Sequence, residues 1–520
     1  MSGTTSHDQR ECKAKEWRES RANEAHEPEA MDRRELMKLG VAGVGAAMVA
    51  PEALAGYANA ARVEPGSASA DMASGSTGPV SVSSGHIQLP APALGLAPEH
   101  FFADAPIDLV RVGFVGVGLQ GSAHCRNLLQ IDGVELAAVC DIVPEKVERM
   151  QQRVVDAGFP KPAGYSRGEL DFVRMCEQED LDLVYTATPW RWHVPVCVAA
   201  MENGKHAATE VPAAYRIDDC WKLVENAENH GRHCVMMENC NHDRPEMMVF
   251  NMVRQGLFGE IVHGACGYLH DLREIKFEDR NEGLWRREHA KHRNGNLYPT
   301  HGLGPIANCM DNNRGDRFEY LVSMSSPSRG LELWAEAHYP EGDPKRQEKY
   351  VLGDVNTALI KTARGRTIYI NHDTNLPRPY SRIHKVQGTK GLFHGYPNRV
   401  YIEGYGRPHR WIDEQGYDWQ GEHWDIERVF AEYEHPIWKE LREMSAGAGH
   451  GGMDFIEDYR LFKCLHDGTP TDMNVYDAVA ISAVCELTEI SVANDSAPVE
   501  FPDFTRGRWK SWPQLGIVHA

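Results

Sequence analysis

Arg111-Val-Gly-Phe-Val-Gly116-Val-Gly118-Leu119-Gln120-Gly121 decides how this chain is read, together with Asp141, which ends the apolar run Val134-Glu-Leu-Ala-Ala-Val-Cys140. An alternating apolar strand leads into three glycines, a helix-compatible segment from Ser122 to Leu129 follows, and a second strand closes on a carboxylate. That pattern opens a dinucleotide-binding βαβ unit. Gly116 permits the tight turn, Gly118 lets the main chain approach a pyrophosphate, and Gly121 allows close helix–strand packing. Asp141 can accept hydrogen bonds from ribose hydroxyls and would repel a 2′-phosphate, which favours NAD over NADP.

Working outward, the 520 residues allow two to three domains, and 42% hydrophobic with 25% charged residues is an ordinary globular balance. The net charge of −20 argues against a nucleic-acid partner, since phosphate binding draws on clustered Lys and Arg. The twelve cysteines stand singly, with no C-x-x-C pair and no metal-ligand spacing, so neither a zinc site nor a disulfide framework is expected. Residues 1–60 read as a targeting region. Asp32-Arg33-Arg34-Glu35-Leu36-Met37-Lys38 precedes the Gly/Ala-rich run Leu39 to Ala50, and Ala58-Asn59-Ala60 offers a small-residue cleavage site. This resembles a twin-arginine export signal, for which the start is either Met1 or Met31, and it implies a periplasmic or extracellular protein. The run is too short and glycine-rich for a stable membrane span.

Residues 61–106 are rich in Ser, Gly, Ala and Pro and are expected to be a flexible linker. From there strand and helix patterns alternate: Leu109 to Val115, Val134 to Cys140, Leu183 to Thr188, His206 to Thr209 and Cys234 to Met237 read as buried strands, with Ile217 to Asn229 as an amphipathic helix. The alternation predicts an NAD-binding domain over 107–240 built on a doubly wound, Rossmann-like parallel sheet. An α+β substrate domain with a mostly antiparallel sheet is expected over 241–520. Asn356 to Ile370 reads as a hairpin around Arg364-Gly365, and late helices, Asp454 to Leu465 and Val475 to Ala493, are expected to pack back, the second started by Pro470-Thr-Asp472. An α/β fold of this kind puts the ligand cleft beyond the strand carboxyl ends.

Two loops there carry chemistry. Thr188-Pro189-Trp190-Arg191-Trp192-His193 follows one strand, and Glu210-Val211-Pro212 follows the next. They resemble the Gfo/Idh/MocA oxidoreductases, whose corresponding loops line the nicotinamide and usually carry a lysine where Val211 stands, so a plain sugar dehydrogenase is disfavoured. Met236-Met-Glu-Asn239-Cys240, Gly267-Tyr268, Trp285-Arg286, Asn294-Gly-Asn-Leu-Tyr298-Pro299-Thr300-His301-Gly-Leu-Gly-Pro305, Arg314-Gly-Asp-Arg317 and His450-Gly-Gly-Met-Asp-Phe455 narrow the match. Over about residues 108 to 515 the chain resembles glycoside hydrolase family 109, whose known activity is NAD-dependent α-N-acetylgalactosaminidase.

The resemblance places Leu119, Gln120, Asp141, Trp190, Arg191, Trp192, His193, Glu210, Val211 and Asn239 against NAD, beside the glycines. It places Tyr268, Arg286, Tyr298, Pro299, Thr300, His301 and Tyr380 against a sugar. Tyr298 and His301 are the expected proton carriers, since both hydrogen-bond hydroxyls and histidine titrates near neutrality. Against this, Trp190 and Trp192 have a plain reading as packing aromatics, His301 as a helix cap or a partner for a buried carbonyl, and Tyr380 as a half-buried loop residue. Where the family is expected to read Glu-Asn-Cys-x-Tyr, this chain has His242. If that tyrosine carries a proton, His242 replaces it with a different pH response; if it is a wall, nothing changes.

The implied reaction oxidises sugar C3, removes the acidified C2 proton, eliminates at C1, adds water and returns the hydride, with no net redox change. A sugar oxidoreductase with net NAD turnover and a non-catalytic sugar-binding protein are the competing readings. The expected partner is a small-molecule or glycan substrate, and homo-oligomerisation through the antiparallel sheet is an analogy with the wider oxidoreductase family.

Overall fold

The computed structural model describes residues 81–83, 85–98 and 105–520; the export-type signal lies outside them. The expected linker contains structure within its described part. Strands β1 (Ser81–Ser83) and β2 (His86–Gln88) pair antiparallel around Gly85, whose φ is 81°. Ile87 is 5% exposed, and its N–H donates to the Pro498 carbonyl at 2.8 Å. Composition hid this because a few apolar side chains, Ile87 and Ala97 buried with Leu89 and Leu94 beside them, dock a stretch that is otherwise small and polar.

The glycine fingerprint sits in a six-stranded sheet whose pairs are all parallel. Its strands are β3 (Val110–Val115), β4 (Val134–Cys140), β5 (Ala163–Tyr165), β6 (Leu183–Thr186), β7 (His206–Thr209) and β8 (Cys234–Met236), in the spatial order β5-β4-β3-β6-β7-β8. The order reverses between β3 and β6, so this is the doubly wound Rossmann arrangement, and its cleft opens at their carboxyl ends. Helix α1 (Leu119–Leu128) connects β3 to β4, and α2 (Pro144–Asp156) begins just past Asp141. Helices α3 (Asp171–Gln178), α4 (His193–Glu202) and α5 (Ile217–His230) complete the crossovers. The strands end two residues and one residue earlier than expected, at Thr186 and Met236, where the chain turns to build the loops of the cleft.

After α6 (Arg244–Arg254), a ten-stranded sheet takes over. It is centred on β9 (Ile261–Leu269), β10 (Phe318–Ser325), β11 (Val355–Thr362) and β12 (Thr367–Asp373), and extended by β13 (Lys385–Gly388), β14 (Gly391–His394) and β15 (Arg399–Ile402). It is antiparallel except for the β9–β12 and β2–β18 pairs, β18 being Val499–Glu500; a separate hairpin joins β16 (Tyr417–Trp419) to β17 (Glu422–Trp424). The expected hairpin is β11–β12, turning at Gly365 with φ 84°. Two further helices carry site residues: α7 (Gly283–His292) and α8 (Thr300–Cys309).

The late helices do pack back. In α9 (Met453–Asp467), Phe455, Leu461, Phe462 and Leu465 join the core formed by Val110, Val112, Phe114 and Leu128 of the parallel-sheet unit. The expected single helix over Val475 to Ala493 is two, α10 (Val475–Ser482) and α11 (Val484–Ala493). They meet at Ala483, and inside α11 Thr488 Oγ1 donates back to the Val484 and Cys485 carbonyls, a bond that competes with the helical ladder. The cap of α10 is Asn474, in a reciprocal capping box with Asp477, rather than Asp472. Asp472 is taken instead by a two-pronged bond from Arg460 at 2.8 and 2.9 Å. Among the described residues, no helix is long and apolar enough to cross a membrane.

Candidate active site

The mouth of the site is main chain. Gly116 has φ 86°, and a Cβ there would meet the Ala187 carbonyl oxygen at 2.8 Å; one on Gly121 would meet the Gly116 carbonyl oxygen at 1.9 Å. Both positions therefore require glycine. Gly118 differs: the nearest atom to a Cβ would be Lys146 Nζ at 3.9 Å, so the backbone faces open space. Behind it starts α1, with no side chain capping its first N–H groups. Open backbone at a helix N-terminus fits a pyrophosphate.

Asp141 accepts from Val117 N at 3.1 Å and Val143 N at 3.0 Å, so it also ties the glycine turn to the start of α2. Lys146 Nζ stands 4.0 Å from it, a cation at this mouth that the fingerprint did not reveal, although it lies in the first turn after Pro144. Leu119 is exposed, and Gln120 Nε2 lies 3.2 Å from His124 Nε2 and 3.3 Å from Asp454 Oδ2.

The residues assigned to the β6 loop separate. Trp190 is buried among Trp285, His289 and Tyr298, whereas Trp192 is half-buried against Phe172. Arg191 is exposed and pairs with Glu169 at 2.7 Å. His193 is 1% exposed, with Nδ1 2.8 Å from the Pro212 carbonyl oxygen and Nε2 2.8 Å from that of Thr188. Both ring nitrogens face main chain, so His193 fastens the two loops together instead of presenting itself to the cleft. Val211 is buried and precedes a cis proline.

Glu210 sits in a network that crosses the whole chain. Its Oε1 lies 2.8 Å from His124 Nε2, and its Oε2 accepts from Val211 N at 3.1 Å. His124 Nδ1 is 2.9 Å from Asp458 of α9, which also accepts from Asn127 and the Tyr185 hydroxyl. Burial alone would lower the His124 pKa, but Asp458 and Glu210 outweigh it and hold the imidazole well above its usual range. One helical turn away, Asp454 accepts from Asn239 Nδ2 at 2.7 Å and bonds His450 Nδ1 at 2.8 Å. Burial pushes this carboxyl up, yet His450, His124 and Asn239 bring it down to about 2. His124 was missed because the fingerprint stops at Gly121; its signal was a histidine on the same helix face as Gly121, Cys125 and Leu128.

Across the cleft the structure gathers the expected sugar-side residues. Tyr298 is ringed by Tyr268 at 4.6 Å, His301 at 4.9 Å and Trp190 at 5.7 Å between centroids. The Arg286 guanidinium stands about 5 Å over the rings of Trp190, Trp285 and Tyr298, paired with Glu282 at 2.7 Å. Tyr380 closes the edge, 6.1 Å from Tyr268 and 5.1 Å from His270, with Arg382 Nη1 donating to its hydroxyl at 3.3 Å. Pro299 leads into α8, and Thr300 is fully buried. Burial holds the Tyr298 hydroxyl well above the ordinary phenol range despite Arg286 beside it, so at neutral pH it is a proton donor.

His301 neither caps α8 nor meets a carbonyl. Its Nδ1 lies 2.7 Å from Glu238 Oε1, which leaves Nε2 as the nitrogen free for chemistry. Glu238 is 1% exposed and also accepts from Cys240 N at 3.1 Å. Burial alone would raise its pKa; the charge and hydrogen bond of His301 win and lower it. Glu238 stood inside the motif Met236 to Cys240 but was given no role there, since its partner His301 lies 63 residues further along the chain. Glu238, Cys240 and His301 also bring ligand-type atoms within 4.8 Å of one another, a grouping that linear spacing cannot show. The eleven cysteines among the described residues are all free and buried.

With this geometry in view, comparison with known proteins is direct. The sequence model described as an oxidoreductase family with an NAD-binding Rossmann fold matches residues 110–238, and that of the glycosyl hydrolase 109 C-terminal domain matches 242–511. A glycosyl hydrolase family 109 protein of Shewanella pealeana is 47% identical over 416 residues, covering 79% of this chain and 89% of the relative. A second, from Shewanella sp. strain MR-4, is 46% identical over 418 residues, 80% and 89%. Among solved structures, an NAD-binding oxidoreductase from Klebsiella pneumoniae superposes with a TM-score of 0.58 at 16% identity, covering 76% of this chain and all of that one, 100%. An inositol dehydrogenase homologue in complex with NAD+ from Azotobacter vinelandii gives 0.55 at 19%, with 77% and 99% coverage. The structural likenesses establish the fold and the sequence matches the rest: an NAD-binding domain and a glycoside hydrolase domain in one chain, which belongs to glycosyl hydrolase family 109.

Proposed function

We propose that this NAD-dependent glycosidase acts on terminal α-linked N-acetylgalactosamine and holds its cofactor through many turnovers. The observation that carries the reading is His301, fixed through Nδ1 by buried Glu238 and presenting Nε2 within an aromatic cage beside the β6 and β7 loops. Bound at those loops, NAD supplies reversible hydride acceptance at the sugar C3. A C3 ketone acidifies the C2 proton, which His301 Nε2 takes, and the C1–oxygen bond then breaks by elimination. Tyr298, kept protonated, donates to the developing negative charge, and Arg286 fixes hydroxyl or acetamido oxygens with the donors it does not spend on Glu282. Water adds at C1 and the steps reverse. Val211, standing where the oxidoreductase loops usually carry a lysine, supports this over net sugar oxidation.

The test is an aryl α-N-acetylgalactosaminide in heavy water, followed for aryl release, NADH absorbance and deuterium at C2. Release with C2 exchange and no net NADH is expected. Steady NADH without aryl release would instead make the chain a sugar oxidoreductase, and silence in all three would make it a binding protein. We also take the chain to be exported, on the strength of Arg33-Arg34 and the run that follows them; replacing both arginines with lysine is expected to leave the protein in the cytoplasmic fraction.

A further inference from the structure

Beside α8, against Pro305 and Asn308, lies a partly open cavity of about 40 Å³. Asn241, His242, Glu246, His435 and Asp472 line one side, and mainly apolar side chains the rest. Water needs roughly 10–15 Å³ of such space per molecule, so about three waters fit, and no sugar or nucleotide does. The wall is built for water. Asn241 Oδ1, His242 Nδ1, Glu246 Oε2 and His435 Nε2 are all buried without a protein partner, and His435 is fully buried. Dry, four such atoms would each forfeit a hydrogen bond.

The cavity connects to the catalytic pair through α8. His301 and Pro305 are four residues apart and share a helix face, and Pro305 and Asn308 are cavity wall. Between them, the face of Gly304 is bounded by Asn241 Oδ1 and Glu238 Cγ, 2.7 and 3.0 Å from where a Cβ would stand. Glu238 Oε2, the oxygen that does not hold His301, and Thr300 Oγ1 are likewise buried, and the Thr300 side chain helps hold the Glu238 carboxyl below its usual range. Leu515, Gly516 and Val518 form part of the cavity wall, and Gly516 is exposed.

We propose that this cavity holds a small water cluster that relays protons between the Glu238–His301 pair and solvent, with His242 and His435 as positioning residues. The proposal rests on the reaction given above. There, the C2–H bond breaks, its electron pair enters the enolate and its proton goes to His301 Nε2. The Nδ1 proton passes to Glu238 Oε1 and converts the carboxylate to the acid, which gives that same proton up toward the cavity water and returns to the carboxylate; the flow reverses when C2 is reprotonated, so no net proton is consumed. His435 accepts from Ile437 N with Nδ1, which leaves an Nε2–H directed at the water. His242 Nε2 is 3.9 Å from Asp472, itself clamped by Arg460. His242 therefore belongs to the relay and does not line the sugar cage.

The experiment uses the full chain with bound NAD and the aryl glycoside in heavy water. Wild type is expected to release sugar fully deuterated at C2. His242→Phe and Asn241→Leu, which dry the cavity from its two sides, are expected to let the abstracted proton return, so that C2 deuteration falls below about half and kcat falls about 10-fold, the scale of a lost proton-transfer assist, at unchanged NAD content. His242→Gln, which keeps a hydrogen-bonding wall, is expected to restore exchange. Full deuteration in both apolar variants overturns the relay alone. Aryl release by wild type without any C2 exchange overturns the reaction, and the relay with it.

Discussion

Two histidines in this molecule sit against buried carboxylates and differ in one respect. His124 is held at both nitrogens, by Glu210 and Asp458, and is 0% exposed. His301 is held at one, by Glu238, and keeps the other for the cleft. A proton on an imidazole pinned from both sides has nowhere to go, so the first pair is a clamp that sets the Glu210 loop; the second can pass a proton through the ring. The same residue types yield structure or chemistry according to how many ring nitrogens the fold occupies.

The comparison breaks most readily at His301. His301→Ala is expected to lower kcat about 10³-fold while NAD content, read by absorbance after gel filtration, stays unchanged; a loss of NAD instead would make His301 part of the clamp. Asp458→Ala should do the converse. Removing one partner of a buried charged pair is expected to cost ~3–5 kcal/mol, seen in urea unfolding, with NAD lost because Glu210 is no longer placed. Asp141→Ala is expected to release NAD as well, since it frees two main-chain N–H groups at the glycine turn along with the ribose acceptor.

pH sharpens the contrast. The folded Asp454 carboxyl is depressed to about 2, so its stabilisation is complete above the usual carboxylate range and is lost as pH falls through about 2. Asp454→Asn is expected to remove about 2 kcal/mol of that acid-limb dependence, measured as the change in Tm between pH 5 and 2. His124 has the opposite sign: its folded pKa is raised, so its contribution is present below about 6.5 and fades as pH rises through the elevated value. Tyr380→Phe is the smallest effect, a KM increase of a few fold for one hydrogen bond of about 1 kcal/mol, with kcat and stability unchanged.

What could be read from sequence was local or periodic. The three glycines, Asp141, the short buried strands and the Gly365 hairpin each depend on residues a few positions apart, and family resemblance supplied Tyr268, Arg286, Tyr298, His301 and Tyr380, which the fold does gather. Misplacements arose where partners are distant. Asp472 looked like a helix cap until Arg460 claimed it, His193 looked like a cofactor contact until Thr188 and Pro212 claimed both nitrogens, and Ile87 looked like linker until it docked at the sheet edge. Glu238 and Asp458 needed the fold itself, because their histidine partners lie 63 and 334 residues away along the chain.

Helix α9 gives the cofactor domain an unusual calendar. Phe455, Phe462 and Leu465 complete its core, and Asp458 bonds His124 across 334 residues of chain. At ~5–20 residues per second of synthesis, those partners emerge about 15–70 s apart. The unit begun first on the ribosome is thus finished almost last, and NAD meets a complete binding surface only after the glycoside hydrolase half has been made. A nascent chain stalled before Met453 holds the glycines without the clamp and leaves uncovered the apolar side chains that meet Phe455, Phe462 and Leu465.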